Sequence, residues 1–260
     1  MFKVFMDFIS NLISSFFKMF EKKEINPIPE MKPIPEIKPI PEIKPIPEMK
    51  PIPEIKPIQE IPKFAVDLPE NYFKYILNSE GGYVNHPNDI GGETNRGITA
   101  GTLVRAKARG IVPPDITIKD LTDRTDLVYD IYNEMYYKES FSNKMPHPLS
   151  FAYLDACINH GIGGRTSKGT AVGAGMLLQS VLVEQYKLKI DIDGRVGVKT
   201  LNVLLDALKI ASPVELAEKF NDRRELYYNR IVANNPSQKV FLKGWMNRLN
   251  KVRSICRGGF

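Results

Sequence analysis

The chain has 260 residues, 43% hydrophobic and 25% charged, ordinary proportions for a folded protein with room for one or two real cores. Its formal net charge is +6, and residues 63–260 alone carry 27 basic against 21 acidic side chains, which favours an anionic partner without choosing between nucleic acid, a membrane and an acidic wall polymer. Two cysteines exclude a disulfide framework, and three histidines with no HExxH or CxxC motif give no support to a zinc hydrolase.

Residues 1–26 form the first zone. Phe2, Phe5, Met6, Ile9, Leu12, Ile13, Phe16, Phe17 and Phe20 recur at helical spacing, with Lys3, Asp7, Ser10, Asn11, Ser14 and Lys18 on the other side. The pattern predicts an amphipathic helix over residues 1–24, lying in a bilayer interface through its aromatic face. A spanning segment is the rival reading, although it would bury Asp7, Asn11 and Lys18 at a cost. A cleaved signal peptide fits less well, because no A-x-A-like site precedes the polar region.

Residues 27–62 repeat a hexapeptide six times, PIPEMK, PIPEIK, PIPEIK, PIPEMK, PIPEIK and PIQEIP. Proline at alternate positions removes backbone donors and fixes φ, so neither a helix nor a central strand can form. The expectation is an extended polyproline rod, reaching roughly 110 Å at ~3.1 Å per residue. Such a rod is a semi-rigid spacer between the first helix and the folded part. Repeat expansion without a selected length is the plainer alternative.

From residue 63 onward the pattern predicts a mainly helical protein. Pro69 opens a helix carrying Tyr72, Phe73, Ile76 and Leu77, and Gly81-Gly82 stops it. Further helices are expected from about Thr99 to Gly110, then over 123–138, 148–159, 167–186, 197–209, 212–233 and 237–255. The segment 148–159 is apolar nearly all round, so it should be buried. At most a small hairpin fits within 83–98.

The helix opened by Pro69 ends at a carboxylate, Glu80, at the mouth of a long polar loop, EGGYVNHPNDIGGETNRGIT. A helix end is a rigid mount, and the neighbouring Tyr83 and Val84 would lower the local dielectric, as general-acid work requires. Asp89 and Thr94 lie further along the loop and can fold back opposite Glu80. Two carboxyls flanking a sugar bond are the minimum equipment for glycoside hydrolysis, and a threonine hydroxyl can position water. The bland reading is an exposed helix-end Glu and a turn-forming Asp.

Other constellations carry less. Cys157 and His160 stand three apart on one expected helix, whereas a nucleophile and its base usually come from separate elements, so Cys157 reads as a small buried hydrophobe. The Lys/Arg-rich end from Lys239 to Arg257 reads as a solvated helical face or a contact with an anionic wall rather than a nucleic-acid site.

The run EGGYVNHPNDIGGETNRGIT closely resembles the opening motif of family 108 glycoside hydrolases, lysozyme-like N-acetylmuramidases of the phage endolysin type. DLTDRTDLVYDIYNEMYY and FAYLDACINHGIGGRTSKGTAVGAGMLLQ resemble later stretches of the same family. DIDGRVGVKTLNVLL, with the closing FNDRRELYYNRI and FLKGWMNRLNKVR, resembles the peptidoglycan-binding module that accompanies it. The resemblance covers roughly residues 68–255 and leaves out the first helix and the rod. It implies Glu80 as the catalytic acid, Asp89 as the loop acid and Thr94 as its supporting hydroxyl, with Thr99 a second candidate for that place. Asn159 and His160 would shape the cleft wall opposite Glu80, Tyr83 would contact substrate, and Trp245 would either stack on sugar or belong to the core.

The expectations are therefore a lysozyme-like helical catalytic domain over 63–165 and a helical peptidoglycan-binding module over 166–260, behind a helix at 1–26 and a spacer at 27–62. The enzyme would need no metal and no cofactor, act as a monomer on peptidoglycan glycan strands, and bind no nucleic acid. It would be associated with the inner membrane and act on the periplasmic, cell-wall side. A lytic transglycosylase and a non-catalytic wall-binding protein are the alternatives. The sequence leaves retention and inversion open.

Overall fold

The computed structural model describes residues 65–84 and 93–260. The expected membrane helix, the spacer and Asp89 lie outside the described residues. The described residues hold eight α-helices, a π-helical stretch, three short 3-10 turns and two short hairpins. Helix α1, Glu70–Ser79, buries Tyr72, Phe73, Tyr75 and Ile76. It ends one residue before the glycines: Glu80 is itself the C-cap, extended at φ −95° and ψ 152°, with its N–H bonded to Ile76 O. That turn of backbone swings the Glu80 side chain out of the helical spiral.

The chain returns as a hairpin of β1, Thr94–Asn95, and β2, Ile98–Thr99, and Val84 bridges to Thr94 on its outer side. Arg96 at φ +49° and Gly97 at φ +78° fill its two-residue turn, the left-handed pair that a tight hairpin demands. Helix α2, Ala100–Ala108, follows at once, with the Thr99 hydroxyl accepting from Thr102 N–H as its N-cap. Helix α3, Thr125–Tyr132, runs on into a π-helical stretch, Asn133–Lys138, where an unbroken α-helix was expected. Helix α4, Leu149–His160, is buried on almost every side.

Residues 167–172 are not helical. Gly164–Arg165 and Ala171–Val172 pair as β3 and β4, and α5 starts only at Gly173, running to Glu184. The later glycine loop packs closely on this hairpin: a Cβ on Gly194 (φ +76°) would stand 2.8 Å from Val172 O. The buried Gln179 side chain ties that loop down, accepting from Gly194 N–H at 2.7 Å and donating to Asp193 Oδ1, Arg195 O and Thr200 Oγ1. Helices α6, Val198–Leu208, α7, Pro213–Asn234, and α8, Lys239–Gly258, complete the chain. Ser212 caps α7 by accepting from Glu215 N–H.

One hydrophobic cluster runs through the described residues from Leu68 to Cys256. Helix α4 is packed by α5, α7 and α8, so the C-terminal helices and the Glu80 segment close around the same core. A second, small cluster gathers Tyr228, Trp245 and Leu249 between α7 and α8.

Candidate active site

Glu80 occupies a shielded niche in which its side chain is only 6% exposed. From α8, Arg248 donates through Nη1 to Glu80 Oε1 at 2.9 Å. The other carboxyl oxygen, Oε2, lies under the Arg96–Gly97 turn, where a Cβ on Gly97 would stand 2.8 Å from it. Tyr132 of α3 pins that turn by donating to Arg96 O at 2.8 Å. Burial, with the Glu80 charge beside it, raises the Tyr132 hydroxyl well above its usual range, so it acts only as a neutral donor.

Behind Arg248 stands a line of buried charge. Its Nε donates to Asp155 Oδ1 at 2.9 Å, and Asp155 Oδ2 accepts from Arg224 Nη2 at 2.6 Å. Asp155 and Arg224 do not reach solvent, with side chains 1% and 0% exposed. Two carboxyl groups thus alternate with two guanidiniums along the row. Burial works against the charged form of Asp155, but Arg248 and Arg224 outweigh it and hold the carboxyl below the usual carboxylate range. The row continues from Arg224 to the Tyr228 hydroxyl, which lies 3.1 Å from His160 Nε2. Burial pushes the His160 imidazole down to about 3, with the Arg224 cation acting in the same direction, so the ring is neutral at ordinary pH.

The remaining expected residues divide. Tyr83 sits at the rim, half-buried, donating to Glu93 Oε1 at 2.8 Å under the Lys119 ammonium. Thr94 is buried at 5% and holds Val84 through paired backbone bonds. Thr99 does not present a free hydroxyl to a cleft, because its oxygen is engaged with Thr102 as the helix cap. Asn159 turns its amide back onto its own helix, donating to Asp155 O at 2.6 Å. Trp245 is 4% exposed, with its ring stacked on Tyr228 and Phe241. It is a core residue of the small cluster and not an open platform for a sugar. Cys157 is wholly buried, which pushes its thiol up to about 12, and Cys256, also buried and raised to about 12, is likewise a free cysteine.

Arg248, Asp155, Arg224 and Glu93 are the site residues that pattern reading passed over. The basic end of the chain was expected to be a solvated face, yet the Arg248 side chain is 9% exposed. Its place in the helix was the available signal: Arg248 falls on the same stripe as the buried Trp245, Leu249 and Val252. A shielded carboxyl with one oxygen held by a guanidinium and the other facing a side-chain-free turn suits proton exchange with a bound oxygen. Among the described residues no cluster of three His, Cys, Asp or Glu side chains could hold a metal ion.

Residues 73–161 match the family described as Glycosyl hydrolase 108, and residues 173–250 match the one described as Predicted Peptidoglycan domain. Among solved structures the chain is similar to SagA of Brucella abortus, at 29% identity and a TM-score of 0.52, covering 72% of this chain and 91% of that one. No curated protein matches. The two domains together make the chain a glycoside hydrolase directed at peptidoglycan.

Proposed function

We propose that this chain, built from a glycosyl hydrolase 108 domain and a peptidoglycan domain, is an N-acetylmuramidase. It hydrolyses the β-1,4 bond between N-acetylmuramic acid and N-acetylglucosamine, for host-cell lysis or wall remodelling. Glu80 is the general acid that protonates the leaving oxygen. Asp89 steadies the developing oxocarbenium charge or, with Thr94, positions water. The observation that carries the reading is the Glu80 carboxyl itself, inside the matched hydrolase segment and shielded at the end of α1 with one oxygen under a glycine turn.

Residues 1–24 hold the enzyme at the inner membrane and residues 27–62 span the gap to the wall, a reading supported by the amphipathic pattern and the proline repeat. Among the described residues no helix is long and apolar enough to cross a membrane, so attachment rests on that first segment.

The test is incubation of the full chain, wild type and Glu80→Gln, with purified peptidoglycan, followed by assay of new reducing ends and mass measurement of the fragments. Hydrolytic muropeptides from wild type alone support the reading. Products ending in 1,6-anhydro sugar would instead make the enzyme a lytic transglycosylase. Binding without cleavage by either protein would leave a wall-binding protein.

A further inference from the structure

A helix does not bring a guanidinium into its buried stripe unless an anion waits there, because an unpaired buried charge costs several kcal/mol. Among the described residues Arg248 meets two carboxyl groups. Its rear nitrogen, Nε, is fixed by Asp155 Oδ1, and Asp155 is itself held from the far side by Arg224. Its front nitrogen, Nη1, reaches Glu80 Oε1 at 2.9 Å. The guanidinium is planar and forked, so a clamp at the back fixes the direction of the front. Three helices, α4, α7 and α8, therefore converge on one oxygen of one carboxyl.

Building on Glu80 as the acid, we propose that Arg248 is its positioning residue: it reserves Oε1 and leaves Oε2, under Gly97, as the oxygen that carries and delivers the proton. The last helix of the peptidoglycan module is thereby a working part of the catalytic centre. The two halves of the carboxyl are chemically unlike. Oε1 accepts a charge-assisted hydrogen bond, which disfavours a proton there. Oε2 lies against the Arg96–Gly97 backbone and accepts no comparable bond from a cation among the described residues. In the transfer the O–H bond at Oε2 breaks as the leaving oxygen gains the proton, and the carboxylate that remains is already paired with Arg248.

Among the described residues, the titratable groups facing the carboxyl come from four helices. Tyr132 and Tyr136 face it from the α3 and π-helical segment, and Tyr75 of α1 lies beside Arg248; burial raises all three hydroxyls. Asp155 from α4 is held ionised, Arg224 from α7 is a permanent cation, and His160 stays neutral down to about 3.

The experiment is steady-state hydrolysis of peptidoglycan from pH 4 to 9 by the full chain as wild type, Arg248→Gln and Arg248→Lys, with a thermal melt of each. In R248Q, kcat is expected to fall by about 100-fold with KM little changed, the scale of a misdirected catalytic group. The alkaline limb of its profile should also move to higher pH, because a shielded carboxyl that has lost its cation keeps its proton longer. R248K keeps the charge but cannot span both carboxylates, so it should retain the wild-type limb and recover part of kcat. An unmoved limb in R248Q, with activity falling only in step with the melting temperature, would overturn the proposal. If R248Q does not fold, R248K decides alone: lowered kcat at unchanged KM supports the proposal, and wild-type kcat overturns it. Failure of the underlying reading looks different, since wild type would then release no hydrolytic product, or Glu80→Gln would match it.

Discussion

Asp155 and Arg224 form a closed ion pair, Oδ2 to Nη2 at 2.6 Å, and the second oxygen of the same carboxylate holds Arg248. Asp155 is therefore the one anion between two buried cations, and it is the hinge of the whole row. Asp155→Asn keeps the shape and removes the charge, leaving two guanidiniums facing a neutral amide. The expected loss of stability is about 3–5 kcal/mol, measured by urea unfolding of the full chain. Hydrolysis should fall further than stability predicts, because Arg248 loses its rear anchor. A variant within about 1 kcal/mol of wild type would mean that the row is not closed in solution, since a median exposed pair contributes no more than that.

Gly97 tests the front of the site. Its φ of +78° strains any L-residue, and a Cβ there would stand 2.8 Å from Glu80 Oε2 and press on the Tyr132 hydroxyl. Gly110, at φ +68° with nothing within 4 Å of a built Cβ, supplies the control for strain alone. Both Gly→Ala variants should lose about 1–2 kcal/mol of stability from the left-handed backbone. Only Gly97→Ala should also lose activity, by about tenfold or more through a displaced carboxyl. Equal activity in the two variants would show that the close approach of Gly97 to Oε2 does not matter to catalysis.

Local signals made much of this fold legible. Ser212-Pro213-Val214-Glu215 announces a helix start, and the apolar runs of α4 and α6 fall where periodicity puts them. The buried charges were not legible in the same way. Arg248 is 93 residues from Asp155 and 168 from Glu80 in sequence, so its reason for pointing inward cannot be read from its own helix. The buried stripe marks position 248 as inward-facing, but only the packing of α8 on α4 gives that charge an address. The β3–β4 hairpin escaped for a related reason, since the glycines that crowd it include Gly194, on a loop well beyond it.

His160 gives the protein a pH response with a definite sign. Its imidazole is pushed from 6.5 down to about 3 on folding, so between those values the unfolded chain binds the proton that the folded chain refuses. Stability is thus fully present above about 6.5 and declines as pH falls toward 3. The urea midpoint of wild type should drop steadily between pH 7 and pH 4, and His160→Gln should flatten that slope. His147, lowered by burial in the same direction, leaves a residual slope in the variant. A wild-type slope unchanged by His160→Gln would mean that the imidazole is solvated when the protein is folded.

Trp245 separates a structural aromatic from a sugar-stacking one. Its ring lies 5.3 Å from Tyr228 and 6.2 Å from Phe241, nearly parallel to both, and it is 4% exposed. Removing so large a buried side chain forfeits its contacts and leaves a cavity, so Trp245→Ala should cost about 3–5 kcal/mol. Trp245→Phe should cost less, and at a temperature where it is folded it should co-sediment with peptidoglycan as well as wild type does. Retained stability with lost binding would reverse this assignment and make the indole a contact surface for glycan. Lost stability with retained binding would leave it where its packing puts it, a wedge between α7 and α8 that helps keep Arg248, three residues on in the same helix, directed at Glu80.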